Sequence, residues 1–231
     1  MIGTRRTRSV EALHYRDEPR APGATPWRQA AYCVVDLELT GLDPREDSII
    51  SFGVVPVDGG RVIVRDSRAG LCRPSSPLKV DSIVIHGLRG MDLADAPGPA
   101  VALRPLLDAM AGRILVAHSS WVEQSFLQRA FRPLGVRLRG PIIDTVQLGA
   151  ALGARLGRPL GEDLAELVAN LGLPAHREHD ALGDALTTAQ VFIALATLLD
   201  RETPQTVATL AGDGRRAALS PARAARRSSV G

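Results

Sequence analysis

The chain is poor in cysteine. Cys33 and Cys72 are its only two in 231 residues, too few for a disulfide framework and without a zinc-ligand spacing. Cys33 lies in an apolar run and reads as core. No uninterrupted apolar run approaches the roughly 18 residues that a membrane span needs. Arg5, Arg6 and Arg8 near the start are followed by no apolar stretch, which excludes a secretory signal, and Glu11, Asp17 and Glu18 argue against a transit peptide. No internal repeat is present. These absences lead to the expectation of a protein of the reducing cytoplasm that has no membrane segment.

What is present is an ordinary globular composition, 45% hydrophobic and 23% charged, in a chain long enough to bury a full core. The net charge of +3 is unevenly spread. Residues 1–28 hold six arginines against three acids, residues 201–231 hold six against two, and residues 29–200 are acidic by four charges. Basic ends can hold nucleic acid without sequence preference, but an Arg/Ala-rich composition that only aids solubility explains them equally well. The aperiodic, Arg/Pro/Gly-rich residues 1–28 and the Ala/Arg/Pro/Ser-rich residues 201–231 read as disordered tails flanking one domain at 29–200.

Within that domain, Ala30–Leu37 is an almost continuous apolar run ending in acids, the pattern of a central strand covered on both faces. Ile49–Val57 and Arg61–Arg65 flank Asp58-Gly59-Gly60, a hairpin signal. Ile114–Ala117 and Pro141–Ile143 are short apolar runs. Helical periodicity covers about 101–111, with Pro105 starting or kinking it, then 120–132, 144–153, 162–171 and 180–199. A hairpin followed by alternating strands and helices predicts an α/β fold, with a mixed sheet of about five strands and helices on both faces.

Asp36 and Glu38, two apart on the first strand, project to one face. Paired carboxylates repel, and burying either costs several kcal/mol unless a cation accompanies it. By itself such a triplet is weak evidence, since a strand running into a polar turn at Thr40-Gly41 would look the same. Glu123 adds weight. At 3.6 residues per turn it falls among Val122, Phe126, Leu127, Ala130 and Phe131, inside the apolar arc of its helix. Asp184 shares its helix face with Val191, Leu195, Leu198 and Leu199. Two acids on core-facing stripes, beside a paired-acid strand, point to one shared site. Carboxylates without a histidine or cysteine cluster suit hard cations, Mg²⁺ or Mn²⁺. Two such ions can promote an in-line phosphoryl displacement. His179, where the last helix begins, has the chemistry to take a proton from an attacking water, although a histidine in a polar turn is also a common surface feature.

The stretch Val35-Asp36-Leu37-Glu38-Leu39-Thr40-Gly41-Leu42 resembles the first motif of the DEDD exonuclease superfamily. Leu115 to Leu127, which contains His118-Ser119-Ser120-Trp121-Val122-Glu123, resembles the second. His179-Asp180-Ala181-Leu182-Gly183-Asp184 resembles the third, in the form that marks the DEDDh branch, which includes the proofreading epsilon subunit of DNA polymerase III. The resemblance spans about residues 30–200. It implies an RNase H-like fold, two Mg²⁺ or Mn²⁺ ions on Asp36, Glu38, Glu123 and Asp184, and His179 as general base. It also implies release of nucleoside 5′-monophosphates from a 3′ end. Leu39, Thr40, Gly41 and the Ile85-His86-Gly87-Leu88 loop match segments that hold the 3′-terminal nucleotide. Asp144, in Ile143-Asp144-Thr145, matches a segment read as structural. The chain departs from the pattern at position 123, Glu where the family has Asp, and at position 119, Ser where Asn is usual. His176 is an alternative base whose spacing from Asp184 does not fit. The expected partner is single-stranded DNA with a free 3′ end, possession of a polymerase partner being part of the same reading. RNA trimming and a catalytically weak binding module are the alternatives.

Overall fold

The computed structural model describes residues 9–174 and 179–212. Its elements, in chain order, are α1 (Val10–Asp17), β1 (Ala31–Leu39), β2 (Ile49–Asp58), β3 (Arg61–Val62), β4 (Arg68–Leu71), α2 (Val80–His86), α3 (Gly90–Leu93), α4 (Pro99–Ala102) and α5 (Arg104–Ala109). There follow β5 (Ile114–Ala117), α6 (Trp121–Phe131), β6 (Ile142–Asp144), α7 (Thr145–Leu156), α8 (Leu164–Leu171), α9 (Ala181–Glu202) and α10 (Val207–Leu210).

The sheet runs β3-β2-β1-β5-β6, with β4 also paired to β2. β1 is antiparallel to β2 and parallel to β5, and β5 is parallel to β6. The sheet is therefore mixed, as the order of elements predicts, with six strands where about five were expected. The additional strand arises because the return strand of the hairpin is broken. Gly59 and Gly60 both take positive φ, which a two-residue primed turn requires, but β3 pairs over only two residues. A 3₁₀ turn at Val64–Asp66 interrupts it before β4 rejoins β2. The helix expected over 101–111 is likewise divided, with Pro105 in the first turn of α5 where no amide donor is needed.

Strand alternation builds two cores. Tyr32, Val34, Val55, Val57, Ile114 and Val116 face α7, α8 and α9. Cys33, Val35, Leu37, Phe52, Val54 and Leu115 face α1, α5 and α6. α9 is long and apolar enough by composition to cross a membrane, yet Val191, Phe192, Leu195 and Ala196 are fully buried within the first core. Its apolarity is accounted for by that packing.

Both domain boundaries are corrected by the packing at the ends. In the expected N-terminal tail, Tyr15 and Trp27 are buried; the Tyr15 hydroxyl accepts from Arg139 N and its ring lies under the Arg20 guanidinium. In the expected C-terminal tail, Val207 and Leu210 enter the first core, and Trp27 N and Val207 N donate to Gln205 O and Thr25 O. These segments carry only two or three apolar anchors each, too few to register as a period. Residues 1–8 and 213–231, the remainder of the expected tails, lie outside the described residues.

Candidate active site

β1 continues its alternation past the core. Tyr32 and Val34 are covered by the first core, and Asp36 and Glu38 extend the same row toward the N-terminus of α9. That approach depends on Gly53, which pairs with Asp36 across the β1–β2 ladder. A Cβ at Gly53 would stand 2.1 Å from the carbonyl oxygen of Ala181 and 2.5 Å from Leu182 Cα. Only hydrogen at this position lets the first turn of α9 rest on the sheet. Asp180 caps that turn, its carboxylate accepting from Leu182 N and Gly183 N. Asp184 is thereby held over β1, and ligand-capable oxygens of Asp36, Glu38 and Asp184 lie within 4.8 Å of one another.

The electrostatics are those of acids crowded together and buried. Burial holds the Asp36 carboxyl well above its ordinary range, reinforced by Glu123, Asp184 and Glu38. Burial and then Asp184 and Asp180 raise Glu38 to about 7. Burial raises Glu123 to about 8, opposed by a backbone hydrogen bond and reinforced by Asp144. Glu123 is 4% exposed, and its Oε2 has no hydrogen-bond partner among the described residues. Such a set of acids is expensive to keep ionised without a cation. Oxygen-only donors at this spacing fit a hard divalent ion. Glu123 is not part of this group of three, yet it is the strongest charged influence on Asp36.

The α6 segment that carries Glu123 is fixed from below. Asp144 Oδ2 accepts from Ser120 N and Ser120 Oγ, while its Oδ1 accepts from Val146 N to cap α7. Asp144 therefore ties the start of α6 to that of α7. Ser119 takes φ +56, a left-handed conformation that Asn tolerates better than Ser.

His179 also has positive φ, +58, and its backbone N–H donates to Asp184 Oδ2 at 2.9 Å. The strained backbone sets the residue against the cluster. His86 approaches from α2: burial lowers the pKa of its ring, the Leu39 carbonyl opposes that shift, and His179 adds to it. Leu39, His86 and His179, far apart in sequence, thus meet at one mouth. Gly87, at φ +73, closes α2 behind His86. The hydroxyl of Thr40 is instead buried, donating to Asp47 Oδ1 and accepting from Ser48 N, and a Cβ at Gly41 would lie 2.5 Å from Asp47 Oδ2. Side-chain recognition by Thr40 is closed off by this packing. His176 lies outside the described residues.

A cavity of about 650 Å³ opens beside the cluster, lined by Asp36, His118, His179 and Asp184 with Leu164 and Val168 of α8 opposite. His118, whose Nδ1 is 2.9 Å from Thr145 Oγ1, was not singled out by sequence reasoning, nor were Gly53 and Asp180. Their signals are a partner on another element, a missing Cβ and a cap, and none of these shows in periodicity.

Residues 33–192 match the RNase T model, described as an exonuclease. The chain is 32% identical over 178 residues to a DNA polymerase III subunit epsilon-like protein of Rhodobacter capsulatus, covering 76% of this chain and 25% of that one. It is 32% identical over 173 residues to the PolC-type DNA polymerase III of Thermotoga maritima, covering 74% and 12%. The chain thus spans a quarter or less of the length of these relatives. Among solved structures, the nuclease domain of 3′hExo, a DEDDh family member bound to rAMP, shares the fold with a TM-score of 0.62 at 19% identity, covering 79% of this chain and 97% of that one. The likeness agrees with the mixed sheet and two-sided helix packing of an RNase H-like domain. The chain belongs to the RNase T family of exonucleases.

Proposed function

We propose that the chain is a divalent-metal-dependent 3′→5′ exonuclease acting on single-stranded DNA in proofreading or repair, in company with a DNA polymerase. The observation that carries the reading is the convergence of Asp36, Glu38 and Asp184 within 4.8 Å, on a cleft that His179 borders. The relatives named as DNA polymerase III proteins support DNA as the substrate and a polymerase as the partner.

Asp36, Glu38 and Asp184 would hold Mg²⁺ or Mn²⁺, with Glu123 available to a second ion or its water. When bound, such ions neutralise phosphate charge and make water a nucleophile at neutral pH. The protein's own contribution is positional. The rigid β1 row and the seated first turn of α9 fix the carboxylates, so their placement costs nothing when substrate arrives. His179 would accept the proton of the attacking water, and its backbone N–H keeps Asp184 turned toward β1. His86, Gly87 and the backbone of Leu39–Gly41 would grip the 3′-terminal nucleotide. Cleavage of the last phosphodiester then releases a nucleoside 5′-monophosphate and leaves a new 3′ hydroxyl.

The test is digestion of 5′-labelled single-stranded DNA, RNA and dinucleotides in parallel, with Mg²⁺, Mn²⁺ or chelator. Stepwise shortening of DNA from the 3′ end, lost with chelator and in Asp36→Ala, is the expected result. Faster RNA shortening would move the substrate to RNA. No cleavage with either metal would overturn the enzyme reading in favour of a binding module, and an unimpaired Asp36→Ala would overturn the assignment of the metal site to this cluster.

A further inference from the structure

α2 is weakly attached for an element at the mouth of a site. Val80 is 74%, Val84 79% and Ile85 56% exposed, and Ser82 is the one residue of the helix that is buried. Apolar packing, which holds most helices in place, contributes little here. At the C-terminal end of α2, His86 Nδ1 accepts from the neighbouring Leu88 N, and its buried Nε2 makes no hydrogen bond among the described residues. The N-terminal end begins at Lys79, whose carbonyl accepts from Ile83 N and from Ser82 Oγ.

Lys79 is the only lysine in a chain that otherwise uses arginine throughout. Its Nζ donates to Asp47 Oδ2 at 2.8 Å, with the Lys79 side chain 53% and the Asp47 side chain 1% exposed. Asp47 is the hub of the turn that follows β1: it also accepts from Thr40 Oγ1 and Asp43 N. Arg129 of α6 donates to the carbonyls of Pro44 and Asp47 and secures the same turn independently. The turn therefore has support without Lys79, and α2 has little support besides it.

We propose that Lys79 is a positioning residue: its bridge to buried Asp47 sets where α2, and His86 at its end, stand at the mouth of the site. The proposal rests on the exonuclease reading, because the ligand that His86 meets is the 3′-terminal nucleotide. A compact amine is suited to this place, since the Asp47 oxygen it reaches is already shared with Asp43 N and leaves no second oxygen free for a bidentate guanidinium.

The experiment compares wild type with Lys79→Met and Lys79→Arg on an oligodeoxythymidylate and on bis(p-nitrophenyl) phosphate, a small diester with no nucleoside to grip. Loss of a half-exposed pair predicts that Lys79→Met raises KM for the oligonucleotide roughly three- to fivefold. Its kcat and its turnover of the small diester stay at wild-type values, and Lys79→Arg recovers at least part of the KM because the cation is kept. Amide exchange should quicken over residues 80–88 in Lys79→Met and remain unchanged in α9. An unchanged KM, unchanged exchange over 80–88, or equal losses on both substrates would overturn the proposal. If wild type degrades no oligonucleotide, the exonuclease reading is what fails. Exchange then decides the Lys79–α2 link alone, and unchanged exchange overturns it.

Discussion

Adding one methyl group at Gly53 tests how the site is assembled. In Gly53→Ala the new Cβ would lie 2.1 Å from Ala181 O, 2.4 Å from Ala181 C and 2.5 Å from Leu182 Cα. All three are backbone atoms, so no side chain can turn aside. Ordinary contact requires the first turn of α9 to retreat from β2 by roughly 1 Å, and Asp184 moves with it. Displacement on that scale costs about 100-fold in rate, while overpacking costs about 1–3 kcal/mol of stability. Gly70→Ala supplies the control, because its Cβ would meet the Phe52 ring at 2.6 Å, on the core away from the carboxylates. Single-turnover cleavage of labelled DNA, with folded fraction measured by thermal melt, separates the two. Both variants should lose stability, and only Gly53→Ala should lose about two orders of magnitude in rate per folded molecule. Wild-type turnover in a folded Gly53→Ala would refute the claim that this contact sets Asp184 over Asp36.

The raised carboxyls make metal-free stability depend on pH with a defined sign. Glu38 at about 7 and Glu123 at about 8 lie above their unfolded value near 4.5, so the folded state binds more protons between those limits. Stability in chelator should fall as pH rises from 5 to 8, by roughly a few kcal/mol, and Glu123→Gln should flatten the melting profile. A profile that rises with pH would contradict the assigned burial. Added Mn²⁺ should stabilise the protein more at pH 8 than at pH 5, read as a difference in melting temperature. His179→Ala should slow cleavage by about 10²–10⁴-fold while leaving oligonucleotide affinity, measured by anisotropy in calcium, within a few-fold; cleavage within tenfold of wild type would remove His179 from the chemistry.

The sequence by itself determined the parts that depend on near neighbours. The apolar run of β1 ending in Asp36 and Glu38, the two glycines of the β2–β3 turn and the buried stripe of α9 are local patterns, and each formed the element its pattern predicts. The acids Glu123 and Asp184 were legible for the complementary reason: each breaks the apolar face of its own helix. What tertiary structure decided is which of these groups meet. It brought Asp184 to within 4.8 Å of the β1 pair through a glycine on β2, and left Glu123 out of that group of three. It turned the Thr40 hydroxyl away from the cleft into the Asp47 network. It also enlisted α1 and α10 in the cores through a few buried side chains. Periodicity records how a residue stands relative to its own helix or strand. Distances between elements are set by packing, where a single absent Cβ decides how closely two backbones approach.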